Sequence, residues 1–240
     1  MIRVGGGLTV RVRLAGEGDP LLLLNGLTRP LESWGPFTQA LSGHTIVSFD
    51  APGVGGSPTP VLPLSIAMLA AVAASVLDEA GFETADVLGF SHGGAVAQQL
   101  AVDAPGRVHR LVLASTSCGV GAIPGREDAL RGRRAPSEAP SWAGADLIGA
   151  LWHSLAISSW TSIGFLGAIR APTLVVCGTR DRVLPPANSA LLAQRIPGAD
   201  LVLLPAGHDL QRRGPASAFA GAVEPFLDPA RVLEPLPVDG

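Results

Sequence analysis

Short aliphatic runs recur along this chain and alternate with alanine-rich stretches of helical apolar spacing, a rhythm that few architectures accommodate. The runs at Leu8–Leu14, Leu21–Leu24, Thr45–Phe49, Ala85–Gly89, Val108–Ala114, Thr173–Cys177 and Leu201–Leu204 read as strands. Leu64–Ala80, Gly93–Asp103, Ala187–Ile196 and Ala216–Leu227 read as helices placed between or after them. Near-continuous apolar strands alternating with helices predict a mostly parallel sheet covered on both faces, because a strand buried on both sides has no polar face to show.

Residues 118–165 break the rhythm, with Pro124, Pro136 and Pro140, a local arginine cluster, and Trp142, Trp152 and Trp160. A long insertion between two strands of a regular alternation reads as a lid, and the three tryptophans are candidates to line a substrate pocket beneath it. The expected organisation is one core, 1–117 with 166–227, a lid or cap over 118–165, and an extended or disordered tail over 228–240. At 240 residues, 47% hydrophobic and 15% charged, the chain suffices for one such domain.

Charge and cysteine usage narrow the function. A net charge of -3, with no basic run longer than Arg131–Arg134, disfavours nucleic acid and anionic membranes as partners. The N-terminus carries no apolar signal-peptide core, and the aliphatic stretch Ile66–Leu77 is too short to span a bilayer, so no transmembrane segment and a cytoplasmic location are expected. Cys118 and Cys177 show no metal-ligand spacing and read as buried thiols. No metal or cofactor is called for.

The chemistry centres on Gly89-Phe90-Ser91-His92-Gly93-Gly94. With 30 glycines in the chain, a Gly-x-Ser-x-Gly match alone is weak, expected by chance roughly 0.27 times. Its position adds the weight: a buried run ends at Gly89 and a helix begins near Gly93, so Ser91 falls on a strand-to-helix turn, where its hydroxyl is exposed at a helix N-terminus. A serine hydroxyl needs a general base, itself oriented by a third group. His208, just past the last strand, is the candidate base, and Asp181, directly after the run Thr173–Cys177, is the candidate acid; Asp209, adjoining His208, is a poorly oriented rival. His44, His109 and His153 read as surface or packing residues. The N–H groups of His92 and of Leu27, after the turn Asn25-Gly26, are candidate oxyanion donors, and Asp50–Ser57 reads as a structural turn near the site because it lacks the lysine and spacing of a phosphate loop.

Taken together, Leu22–Gly26, Phe49–Ser57, the Ser91 turn, and Trp160-Thr161-Ser162-Ile163 leading into Pro172–Val175 resemble the serine hydrolases of α/β-hydrolase fold, and among them the intracellular medium-chain-length polyhydroxyalkanoate depolymerases. The resemblance covers most of the chain outside the lid. It implies an α/β-hydrolase fold with a mostly parallel central sheet, helices on both faces and a short helical lid. It also implies Ser91, Asp181 and His208 as a triad cleaving a small-molecule or polymeric 3-hydroxyacyl ester through an acyl-enzyme. Thr28-Arg29-Pro30, a shorter lid, and His92 where that family usually carries tryptophan depart from its pattern. Small-ester or lactone hydrolysis, and a lyase or cofactor-independent oxygenase reaction on the same scaffold, stay open.

Overall fold

The computed structural model describes residues 1–125 and 146–228. A seven-stranded sheet runs through the molecule, built from β3 (Val12–Ala15), β4 (Asp19–Leu24), β5 (His44–Phe49), β6 (Ala85–Phe90), β7 (Val108–Ala114), β8 (Thr173–Gly178) and β9 (Asp200–Leu204). Its spatial order is β3-β5-β4-β6-β7-β8-β9, with β3 antiparallel to β5 and every other neighbouring pair parallel. The mostly parallel sheet expected from the apolar runs is therefore present. A separate two-stranded ribbon, β1 (Ile2–Arg3) with β2 (Thr9–Val10), lies at the N-terminus.

The expectation of a single strand over Leu8–Leu14 is corrected: that segment is β2 and β3, in different sheets. Arg11 divides them. Its N–H donates to the Ser57 hydroxyl at 2.9 Å and its carbonyl accepts from the Asp50 N–H at 2.9 Å, so at this residue the backbone bonds go to the loop after β5.

Successive side chains of a strand face opposite sides, and the leucines of β4 divide accordingly. Leu22 and Leu24 join Val47, Val87, Leu111 and Val175 in a core beneath α2 (Ile66–Glu79), α3 (His92–Asp103) and α5 (Pro186–Arg195). Leu21 and Leu23 join Ile46, Leu88, Val112 and Val176 in the opposite core, against α1 (Gly35–Thr38) and α6 (Pro215–Leu227), where Phe37 and Phe219 stack at 4.7 Å. Full burial of each such leucine contributes about 1.5–3 kcal/mol before conformational entropy is charged against it. Both thiols are buried and unpaired, and burial pushes Cys177 up to about 11.

Between β7 and β8 lies α4 (Leu147–Ser158). Asp146 caps it, accepting from the Gly149 N–H, and also accepts from the Thr59 hydroxyl. The Trp152 indole N–H donates to the Pro60 carbonyl at 3.1 Å, and His153 Nε2 donates to the Pro52 carbonyl at 2.9 Å. These bonds fasten α4 to the loop that follows β5, and Gly149 and Gly53 pass so closely that a Cβ on either would strike the other's backbone. No described helix is long and apolar enough to cross a membrane.

Candidate active site

β6 ends on a fully buried Phe90 and α3 begins at His92, which leaves Ser91 alone to turn the chain. Its backbone sits at φ 52°, ψ −117°, in the left-handed half of conformational space that non-glycine residues enter only at a cost of about 1–3 kcal/mol. The surroundings hold it there: the Ser91 N–H donates to the Ala114 carbonyl at 2.9 Å, and the Ser91 carbonyl accepts from the Thr116 hydroxyl at 2.7 Å and from the Gly94 N–H at 2.9 Å. The glycines beside it have a steric reason. A Cβ at Gly89 would stand 2.7 Å from Ala97 Cβ and from Gly94 Cα, and one at Gly93 would stand 2.6 Å from the Asn25 carbonyl oxygen.

Three loops at the carboxyl ends of β6, β8 and β9 bring Ser91, Asp181 and His208 together. His208 Nε2 lies 3.1 Å from Ser91 Oγ and His208 Nδ1 lies 2.8 Å from Asp181 Oδ2. Asp181 is buried, and its other oxygen accepts the N–H groups of Val183 and Leu184, both at 2.9 Å, which fixes the carboxylate face presented to the imidazole. With Nδ1–H donating to Asp181, the lone pair of Nε2 faces the serine hydroxyl. The Phe90 ring supports the imidazole at 5.3 Å. Asp209 points elsewhere, pairing with Arg29 and with Arg212.

Leu27 lies in a tight turn closed by the Arg29 N–H on the Gly26 carbonyl at 3.1 Å. Its backbone N–H and that of His92 have no hydrogen-bond partner among the described residues. Asn25 anchors this turn: its amide donates to the Pro30 carbonyl and to the Ser33 hydroxyl, while its oxygen accepts from the Gly26 N–H at 2.9 Å and from Gln211 Nε2 at 3.1 Å. Gln211, fully buried, also donates to Ser33 at 2.9 Å and so ties the Asn25–Thr28 turn to the His208 loop. Sequence reasoning passed over Gln211 and Ser33, since neither lies in a motif and only the fold joins residues 25 and 211. Within Asp50–Ser57, the Asp50 carboxylate collects the Arg11 guanidinium and the N–H groups of Leu31 and Gly56.

Beside the Asn25–Thr28 turn and the start of α3 lies a cavity of about 30 Å³, walled by Leu24, Phe49, Val54, Leu69 and Val96 and, on its polar side, by His92 and His153. The two imidazoles meet edge to face at 5.1 Å. Burial holds both well below the ordinary histidine range, His92 at about 3, with the nearby His153 a further cause for His92. Of the surface or packing placement expected for His153 the structure shows the packing one, at this cavity, and it depends on how α4 docks.

The tryptophans do not gather in one place. Trp152 packs near Pro52, Pro60 and Leu64 at the edge of this region. Trp160 donates its indole N–H to Gln99 at 2.8 Å and packs on Phe165, and the neighbouring Ser162 hydroxyl donates to buried Gln98 at 2.7 Å, so this segment is fastened to α3. Trp142 lies outside the described residues.

A doubly covered parallel sheet with a strained serine between strand and helix, hydrogen-bonded to a histidine and through it to an aspartate, defines the class of the α/β hydrolases. A family model described as alpha/beta hydrolase fold matches residues 19–150 and 148–215, and the chain belongs to that family. Among curated proteins it is 36% identical over 254 residues, 92% of this chain and 89% of the other, to a poly(3-hydroxyalkanoate) depolymerase of Ectopseudomonas oleovorans. Among solved structures it is similar to a hydrolase from Pseudomonas aeruginosa PA01, at 30% identity and TM-score 0.83 over 94% of this chain and 97% of that one. It is similar also to the enol-lactonase from Burkholderia xenovorans LB400, at 26% identity and TM-score 0.83 over 93% and 98%.

Proposed function

We propose that this chain is a serine-dependent carboxylic ester hydrolase that works through an acyl-enzyme and takes 3-hydroxyacyl esters. The observation that carries the reaction is the hydrogen-bonded series Ser91 Oγ, His208, Asp181, at 3.1 and 2.8 Å. His208 Nε2 removes the Ser91 proton as Oγ attacks the ester carbonyl. The N–H groups of Leu27 and His92 receive the oxyanion of the tetrahedral intermediate. When the intermediate collapses, the C–O bond to the leaving alcohol breaks and His208 returns the proton to that alcohol. Water then gives its proton to His208 and attacks the acyl carbon; collapse releases the acid and restores Ser91. Asp181 keeps Nδ1 protonated and steadies the imidazolium formed at each step.

The acyl preference is supported by the similarity to the poly(3-hydroxyalkanoate) depolymerase over 92% of the chain. A lactone is the second reading, favoured by the likeness to an enol-lactonase at TM-score 0.83. Hydrolysis rates over a set of p-nitrophenyl acyl esters, a 3-hydroxyacyl ester, a lactone and a medium-chain polyester suspension distinguish the two. Preference for the 3-hydroxyacyl substrates is expected. Preference for the lactone or for short plain esters would remove that assignment, and full activity in Ser91→Ala would remove the mechanism as well.

A further inference from the structure

Among the described residues that line the cavity beside the Asn25–Thr28 turn, one buried side-chain polar atom lacks a hydrogen-bond partner. His92 is only 8% exposed, and its Nε2, fully buried, has no hydrogen-bond partner among the described residues. Each of the other polar residues around the cavity has a partner for its side chain. Asn25 is engaged with Pro30, Ser33, Gly26 and Gln211; His153 Nε2 donates to Pro52; Arg29 pairs with Asp209; and the Thr28 hydroxyl donates to the Leu27 carbonyl. A buried polar nitrogen left unpaired is costly, and such an atom in a native site calls for a ligand group or water.

We propose that the His92 imidazole is a specificity-determining group that hydrogen-bonds a hydroxyl carried on the acyl chain close to the scissile carbonyl. This rests on the acyl-ester reading of the site. Three observations fit a hydroxyl. First, the cavity measures about 30 Å³, and since a single water needs at least about 10–15 Å³, it admits a group of one or two heavy atoms and leaves the remaining alkyl chain outside. Second, the backbone N–H of the same residue is the oxyanion donor of the proposed mechanism, so a group that reaches its ring belongs within a few bonds of the carbonyl. Third, the ring stays neutral because burial and the charge of His153 oppose its protonation more than the His153 backbone favours it. A neutral imidazole has one donor and one acceptor nitrogen, and a hydroxyl, able to give or take a hydrogen bond, satisfies whichever is turned to the cavity. The walls contributed by Leu24, Phe49 and Val96 offer that hydroxyl no competing partner.

The test compares two substrates that differ by one oxygen, ethyl 3-hydroxyoctanoate and ethyl octanoate, and reads the ratio of their kcat/KM values, so any general damage to folding or to the oxyanion site cancels. The wild-type enzyme is expected to favour the hydroxylated ester by about 10-fold or more, His92→Phe to bring the ratio near unity, and His92→Gln, which keeps a hydrogen-bonding tip, to recover part of it. A wild-type ratio near unity, or a ratio unchanged in His92→Phe, overturns the proposal and leaves water as the partner of Nε2. Failure of the wild-type enzyme to cleave either ester overturns the ester reading itself, a different result from cleaving both alike. A second measurement does not depend on the His92 variants folding. The ring nitrogen resonances of His92 in Ser91→Ala are expected to shift on titration with 3-hydroxyoctanoic acid and not with octanoic acid; equal responses to both acids contradict the assignment.

Discussion

At the scale of single residues, each group of the candidate site is held in place by a hydrogen-bonded neighbour. Asp181 accepts two backbone N–H bonds on one oxygen and presents the other to His208, which then offers its lone pair to Ser91. Asp181→Asn retains the shape but can stabilise the wrong imidazole tautomer. It should lower kcat roughly 10³–10⁴-fold with little change in KM on a p-nitrophenyl ester, and a loss below tenfold would mean that another group orients His208. The residues of this relay were legible in the sequence because each follows an apolar run in the order serine, aspartate, histidine. Asn25, Gln211 and Ser33 hold the Asn25–Thr28 turn in the same way, yet only the first drew notice: a buried amide network between residues 25 and 211 leaves no local pattern to read.

At the scale of elements, the turn from β6 into α3 is tightly specified. Ser91 is held in a left-handed conformation, and Gly93 lies against the end of β4 with no room for a methyl group. Gly93→Ala should therefore destabilise the protein by about 1–3 kcal/mol or more through overpacking, seen as a lower urea midpoint with unchanged slope; an unaltered midpoint would mean that α3 shifts freely and the turn is not rigid. The strand and helix on either side were readable from their apolar periodicity. The break at Arg11 was not, because Val10, Arg11, Val12 and Arg13 keep the alternation of one continuous strand while the hydrogen bonds pass from one sheet to another. The docking of α4 was equally hidden. Its tethers, Asp146 to Thr59, Trp152 to Pro60 and His153 to Pro52, join segments about ninety residues apart, so the role of His153 at the cavity follows from tertiary packing alone.

At the scale of the whole molecule, the continuous apolar strands announced a parallel sheet covered on both faces, whereas the order β3-β5-β4-β6-β7-β8-β9 depends on pairings that no strand carries within itself. The buried histidines make a global property testable. His92 and His153 are depressed in the folded protein and ordinary in the unfolded chain, so the unfolded state binds more protons as pH falls below about 6.5. Their contribution to stability is fully present above that pH. For His92 it declines by about 1.4 kcal/mol per pH unit until the folded value near 3 is reached. His92→Phe should flatten the fall in urea midpoint between pH 6.5 and 4.5; an identical slope in the variant would show that His92 is not held neutral. The same fold that buries these rings sets Ser91 at the junction of three loops, where the proposed mechanism has this serine carry the acyl group. Intact-mass measurement during turnover of a slowly deacylating p-nitrophenyl ester, followed by peptide mapping, tests it most directly. A mass increase of one acyl group is expected on the peptide containing Ser91, coincident with a burst of one equivalent of p-nitrophenol and lost in Ser91→Ala; a burst with the acyl group on another residue, or undiminished turnover in Ser91→Ala, would contradict acylation of Ser91.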